Sequence, residues 1–527
     1  MSQATRIAFA LVVAASSIVA GQSGGTNWIG YNGSYSGDRY SPLAEITPQN
    51  VSRLTQTCVF DTHEAIGFQT APTVVAGVMY ITTDTSTYAF DARTCAPKWR
   101  NSRAYAPLQF LANNRGATYM DGRLFRMGGD VHAYAIDASN GRTVWDVSVG
   151  DQSKGESAPL APVAWNHMVF VGNAGGDNFG VTGRIYALDA GDGHVLWKFD
   201  VVPTSGPARR TWTKASAQNP PTGGATWTSY ALDTTRGVLY ASTGNPAPDF
   251  VAALHPGENL YTTAIVALDA RTGHLVAYVQ PITGDFHDWD VAAPAAIIDT
   301  RGGKHLLIAS GKEGMVYGID RSRPGALTVL YKTPVTTRSN VTQPFSAARW
   351  THFCPGTQGG SEWNGAAYDP GQNLVYVPAI DWCTSIKLQR LDTLKGKVGT
   401  PWTGMDDPQA AFGRMDPKEK WQGWITAVNP DDGQVKWKYR SPTPMLAGVT
   451  ATRGGVVFTG DVDGNVLALD AKTGALLWKA PTNNAIGGGV ISYGIGGKQY
   501  VAAAAGMKSV LWPVPNQSAR VVVYALP

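Results

Sequence analysis

Four cysteines limit the chemistry open to this 527-residue chain: Cys58, Cys95, Cys354 and Cys383. None forms a CxxC, and no CxxCH is present, so neither a bound zinc nor a covalently attached haem is expected. They fall into two sequence pairs, Cys58 with Cys95 and Cys354 with Cys383. Four cysteines allow three connectivities, and spacing alone does not choose among them. Two structural disulfides in an oxidising compartment is the reading. Carboxylates are the next candidates. Most Asp, such as Asp137 and Asp470, stand in a recurring turn where the side chain bonds backbone amides. Asp290, after Trp289, lacks the glycine turn of that repeat. Another turn residue is the bland alternative reading for it.

The elements that position these residues are repeated. An apolar strand, Asp-Ala, a Gly turn and a Trp eight residues after the Asp recur from Asp91 to Trp99, Asp137 to Trp145, Asp189 to Trp197 and Asp470 to Trp478. Asn429 takes the Asp slot before Trp437; weaker copies centre on Asp269, where Ala277 replaces the Trp, and on Asp320. Gly supplies the positive φ of a hairpin turn, and the next strand carries its Trp into a neighbouring sheet. The spacings are 46, 52, 80, 51, 109 and 41 residues. A four-stranded blade needs about 40–50, so the longest gap is expected to hide a degenerate blade. Seven visible repeats and one hidden make an all-β, eight-bladed β-propeller. A terminal strand, Val521 to Leu526, is expected to pair with N-terminal sequence and close the ring. The Trp of the repeats are expected as core, and the insertions near Pro203–Gly223 and Asp392–Trp421 as loops on one face.

Composition agrees: Gly is 60 of 527, Trp 17, and charged residues only 16%, where about 25% is usual. A net charge of +4 without like-charge blocks gives no basis for a nucleic-acid groove. Arg6 and the apolar run Ile7 to Ala15, followed by small residues, read as a signal peptide over 1–21, the rest (22–527) being one propeller domain. Cleavage after Val19-Ala20-Gly21 or Ile18-Val19-Ala20 would suit. The run is short for a stable membrane span, the alternative reading. A periplasmic or secreted protein is expected.

On these residues the chain resembles the quinoprotein alcohol dehydrogenases, eight-bladed propellers that bind pyrroloquinoline quinone (PQQ) and Ca²⁺. The opening Trp28-Ile-Gly-Tyr-Asn-Gly-Ser-Tyr-Ser-Gly-Asp-Arg-Tyr-Ser-Pro-Leu43 and the blade repeat carry the resemblance from about Trp28 to the C-terminus. Its most specific part is Gly223-Gly-Ala-Thr-Trp227, then Asn245 in Ser-Thr-Gly-Asn-Pro-Ala-Pro, Gly284-Asp-Phe-His-Asp-Trp-Asp290, and Lys312 in Gly311-Lys-Glu-Gly-Met-Val-Tyr. The resemblance implies Trp227 as the floor under the quinone and Asn245 as a metal ligand. It implies Asp290 as catalytic base and ligand, and Lys312 against the quinone oxygens. Arg115 would pair with a cofactor carboxylate, and Ser157 would contact the cofactor through its hydroxyl. Gly172-Asn-Ala-Gly-Gly-Asp-Asn-Phe-Gly-Val181 resembles the ligand loop with one residue more before Gly-Val. Asp177 is the ligand it implies, Asn178 the alternative. Ala292 stands where lanthanide-using relatives carry an additional Asp, which implies calcium.

Several positions depart from the family pattern. Gln109 and Phe110 replace the adjacent cysteines that cover the quinone, leaving Phe110 as the candidate cover. Gln69 stands where Glu is common, and Glu362, before Trp363, replaces an Asn near the quinone; all three are assigned to cofactor binding. His287 is expected on a surface loop. Cys354–Cys383 matches the family's bridge, whereas Cys58–Cys95 would join two strands of the first blade. The implied function is oxidation of an alcohol by hydride transfer to Ca-bound PQQ, with electrons passed to a separate acceptor such as a cytochrome c. The alternative is a cofactor-free propeller serving as a periplasmic binding or assembly scaffold. The Trp227–Asn245–Asp290–Lys312 set favours the enzyme, because a scaffold has no use for it.

Overall fold

A computed structural model describes residues 26–105 and 113–527. The expected signal peptide and the candidate cover at Gln109–Phe110 therefore lie outside the described residues. Among these residues, eight sheets of four or more strands follow one another along the chain. The first seven are sequential antiparallel meanders, beginning with Thr73–Val75, Val78–Thr82, Ser86–Asp91 and Pro97–Ser102. In the seventh, Tyr40–Ser41 adds a parallel strand beside Thr450–Thr452. The eighth combines both ends of the chain: Val490–Ile495, Lys498–Ala505 and Arg520–Ala525 are completed by Thr55–Asp61, with Cys58 opposite Val523. The eight-bladed propeller and its terminal closure are as expected.

The repeat motif explains how blades join. Asp470 Oδ1 accepts from the amides of Lys472 and Thr473, at 3.0 and 2.8 Å, and so closes the turn. The Trp of one blade lies on the Gly of the next: a Cβ on Gly193 would come 2.8 Å from Trp145, and one on Gly474 2.4 Å from Trp437. Only glycine admits the ring there. The indole N–H then donates to the Ala that follows the next blade's Asp: Trp99 to Ala138, Trp145 to Ala190, Trp197 to Ala270 and Trp437 to Ala471, at 3.0–3.1 Å. In the fifth blade, which lacks this Trp, Tyr331 lies on Gly433 instead.

Two expectations about placement are corrected. The 109-residue gap hides no blade. It holds the end of the fifth blade, the sixth blade's Ala367–Asp369 and Leu374–Asp381, and a small sheet of Thr351–Phe353, Thr384–Ile386 and Arg414–Met415. The blade without a motif is the terminal one, whose outer strand comes from the N-terminus and needs no turn. Secondly, Cys58 bonds Cys95, but Cys58 lies in the eighth blade and Cys95 in a turn of the first. The bridge therefore joins neighbouring blades across the closure. Cys354–Cys383 forms as expected. No helix among the described residues is long and apolar enough to cross a membrane.

Candidate functional site

In an antiparallel blade the start of the first strand and the end of the second lie at the same end of the sheet. Gln69, Arg115, Ser157, Trp227, Asp290, Glu362 and Trp363 precede first strands, while Asp177, Asn245 and Lys312 follow second strands. One end of the ring therefore collects residues from six blades.

Asp290 is held from two sides. The Asn245 amide donates to its Oδ1 at 2.7 Å, and Lys312 Nζ lies 3.1 Å from its Oδ2. The approach needs Gly244, whose Cβ would stand 2.8 Å from Asp290 Oδ1. The Lys312 amide also donates to the Asp290 carbonyl at 3.0 Å. Burial opposes charge on Lys312, yet Asp288, Asp290, Glu362 and Asp177 outweigh it and hold the ammonium well above the usual lysine range.

Trp227 lies under both cations. Lys312 Nζ is 5.8 Å from its ring centroid and the Arg115 guanidinium 4.8 Å, with Arg115 also 5.3 Å from Trp363. Arg115 is 4% exposed and donates to the Trp227 carbonyl at 2.9 Å. Burial lowers its guanidinium to about 10, against the pull of Tyr31 and Glu362. Glu362 is 6% exposed, and burial pushes it up to about 7, with Lys312 opposing, Asp290 adding and Arg115 opposing. Gln69 Oε1, Arg115 Nε and Glu362 Oε1 are buried without a hydrogen-bond partner among the described residues. Buried polar atoms are seldom left so. Orphaned donors and acceptors beside a half-buried indole fit a flat, polar, anionic ligand such as PQQ. Ser157 joins Ala174 by backbone hydrogen bonds, three residues before Asp177.

Around Asp177 the structure gathers more carboxylates than expected. Asp177, Asp249 and Asp288 each place one oxygen within 4.8 Å of the others. Asp177 rises to about 6 through burial and then Asp290, and Asp249 and Asp288 rise well above the carboxylate range, burial again leading. Asn178 instead turns away, its amide donating to the Gly155 carbonyl at 2.7 Å. A hard cation fits this oxygen-rich set. Sequence reasoning missed Asp249 and Asp288. Asp288 carried a signal, since it stands two residues before Asp290; Asp249 carried none beyond following Asn245 by four.

The segment 284–290 is wound by Asp285, which accepts from the amides of His287 and Trp289 at 3.2 and 3.0 Å. His287 is not on the surface: it is 3% exposed and stacks on Trp289 at 4.0 Å. Both long insertions reach this end of the ring. Thr222–Gly223 pairs with Pro246–Ala247 beside Asn245, and the Trp402 amide donates to the Asp177 carbonyl at 2.6 Å.

Residues 28–349 match the family model described as glucose/ethanol/alcohol dehydrogenase, beta-propeller domain. Residues 422–514 match that of outer membrane protein assembly factor BamB. The chain is 30% identical over 534 residues to quinohemoprotein alcohol dehydrogenase ADH-IIG of Pseudomonas putida, covering 93% of this chain and 73% of that one. It is 28% identical over 536 residues to the lanthanide-dependent methanol dehydrogenase of Methylacidiphilum fumariolicum, covering 91% and 84%. Among solved structures, a europium-containing methanol dehydrogenase is similar at a TM-score of 0.83 and 25% identity, covering 96% of this chain and 99% of that one.

Proposed function

The chain belongs to the glucose/ethanol/alcohol dehydrogenase β-propeller family, and on that premise we propose that it is an exported PQQ dehydrogenase in which Asp290 removes the hydroxyl proton of an alcohol. As an enzyme it is an oxidoreductase acting on alcohols. The observation that carries the proposal is the bracing of the Asp290 carboxylate between the Asn245 amide and Lys312. A general base needs a fixed direction as well as a free lone pair.

When bound, PQQ supplies an electrophilic quinone that accepts the hydride of the alcohol carbon. The chain's own residues do the rest. Trp227 offers a broad apolar face for a flat ring. Arg115 and Lys312 supply cationic donors for carboxylate and carbonyl oxygens, and Gln69, Ser157, Glu362 and Trp363 complete the binding walls. Asn245, Asp177 and Asp290 would hold a hard cation through oxygen, calcium in the sequence reading. Two disulfides suit an oxidising compartment, which supports export to the periplasm or beyond. Electrons would leave to a separate carrier such as a cytochrome c.

The BamB-like match favours a scaffold less than its description suggests. Residues 422–514 contain none of the candidate site residues, so that match reflects blade repeats. The test is Asp290→Asn, reconstituted with PQQ and metal. At saturating PQQ and metal, alcohol-dependent dye reduction is expected to fall about 10²–10⁴-fold, the usual weight of a general base. Undiminished turnover would remove Asp290 from the chemistry.

A further inference from the structure

Asp249 is the most unusual side chain near the site. It is 0% exposed, and neither carboxylate oxygen has a hydrogen-bond partner among the described residues. A buried carboxylate left without donors is costly unless something absorbs its charge. One of its oxygens lies within 4.8 Å of an oxygen of Asp177 and one of Asp288. Oxygens gathered this closely lie within reach of one hard cation, whose oxygen ligands stand at roughly 2.3–2.6 Å. Asp288 has one cationic partner, Lys312, at 3.2 Å, and shares it with Asp290.

We propose that Asp249 and Asp288 join Asp177 as metal ligands and that this enlarged, more acidic site selects a trivalent cation over Ca²⁺. The charge balance carries the argument. Once a cation displaces their protons, four carboxylates, Asp177, Asp249, Asp288 and Asp290, stand against the Lys312 ammonium, a net of three negative charges that a trivalent ion neutralises and a divalent ion does not. Ala292, the position from which calcium was expected, is not where the extra charge enters. It enters from Asp249, four residues after Asn245, and from Asp288, two residues before Asp290. Oxygen donors alone also suit a hard, highly charged ion. The proposal rests on the dehydrogenase reading only for what the ion does, not for how it is held.

The experiment uses metal-stripped protein without PQQ or alcohol. Tb³⁺ is titrated in and followed by luminescence sensitised through nearby Trp, with Ca²⁺ and La³⁺ as competitors. One Tb³⁺ per chain is expected, displaced by La³⁺ at comparable concentration and by Ca²⁺ only at an excess of about a thousandfold or more. Loss of a group that merely supports a ligand typically costs about 10–100-fold in metal affinity, which sets the least expected for a ligand itself. Asp249→Asn and Asp288→Asn should each weaken Tb³⁺ by at least that much and narrow the gap to Ca²⁺. Thermal melting of the metal-free variants checks folding, and Asp249→Asn should melt close to the parent, since it exchanges one unpartnered buried polar group for another of the same shape. Displacement by Ca²⁺ at near-equal concentration overturns the charge selection. Unchanged Tb³⁺ affinity in both variants overturns the ligand assignment. A failure of PQQ to bind would count against the dehydrogenase reading alone and leave the terbium result standing.

Discussion

Among Lys312, Asp290 and Arg115, the Glu362 carboxyl titrates near 7, against 4.5 for a free glutamate. Between those values the folded protein holds a proton that the unfolded chain has released. Stability therefore falls as pH rises across that window, because the unfolded state binds fewer protons. Asp177, raised to about 6 from 3.8, acts in the same direction. In metal-free, PQQ-free protein, the thermal midpoint should drop as pH rises from 5 to 8. Glu362→Gln should drop less, because one of the titrating groups is gone. Equal pH slopes for parent and variant would remove Glu362 as a contributor. This residue was legible in sequence because it departs from a known pattern. Asp249 was not: its burial, and its distance from Asp177 and Asp288, depend on three different blades and on loops whose paths no local pattern encodes. His287 failed for a related reason. A polar residue in a Gly-Asp loop reads as exposed until the stacking partner, Trp289, is placed.

The element most fully written in the sequence is the blade-to-blade joint. Asp, Gly and Trp recur because the turn needs the first, the ring needs the second to be bare, and the third spans to the next sheet. Trp145, 8% exposed and bonded to Ala190 at 3.0 Å, should cost about 3–5 kcal/mol on substitution by Ala, as large core truncations do. Denaturant unfolding measures it, and a loss under 1 kcal/mol would contradict the joint. The closure was only half legible. The last strand could be seen to lack a turn, but its partner lies 466 positions away, judged by the Thr57–Val523 contact. For that reason the degenerate blade was sought inside the chain and the Cys58–Cys95 bridge inside one blade. The bridge instead ties the eighth blade to the first. Cys58→Ser with Cys95→Ser should cost about 2–4 kcal/mol, whereas the stability of that double variant should match the parent if the bridge does not restrain the closure.

At the scale of the whole molecule, ring closure turns sequence distance into proximity. Residues from Gln69 to Trp363 share one end because each blade delivers its first-strand start and second-strand end there. The same geometry makes the fold a poor guide to activity, since any propeller gathers loops in this way. What distinguishes this one is the kind of residue gathered: an indole under two cations, a braced carboxylate and a cluster of buried aspartates. The central claim is that these residues bind PQQ with a metal. It is tested most directly by titrating metal-stripped protein with PQQ, with and without added Ca²⁺ or La³⁺, while following Trp fluorescence. The account predicts saturable, metal-dependent quenching at one PQQ per chain, sharply weakened in Trp227→Ala. Absence of saturable binding under either metal would contradict it and return Trp227 and Asp290 to the architecture of the ring.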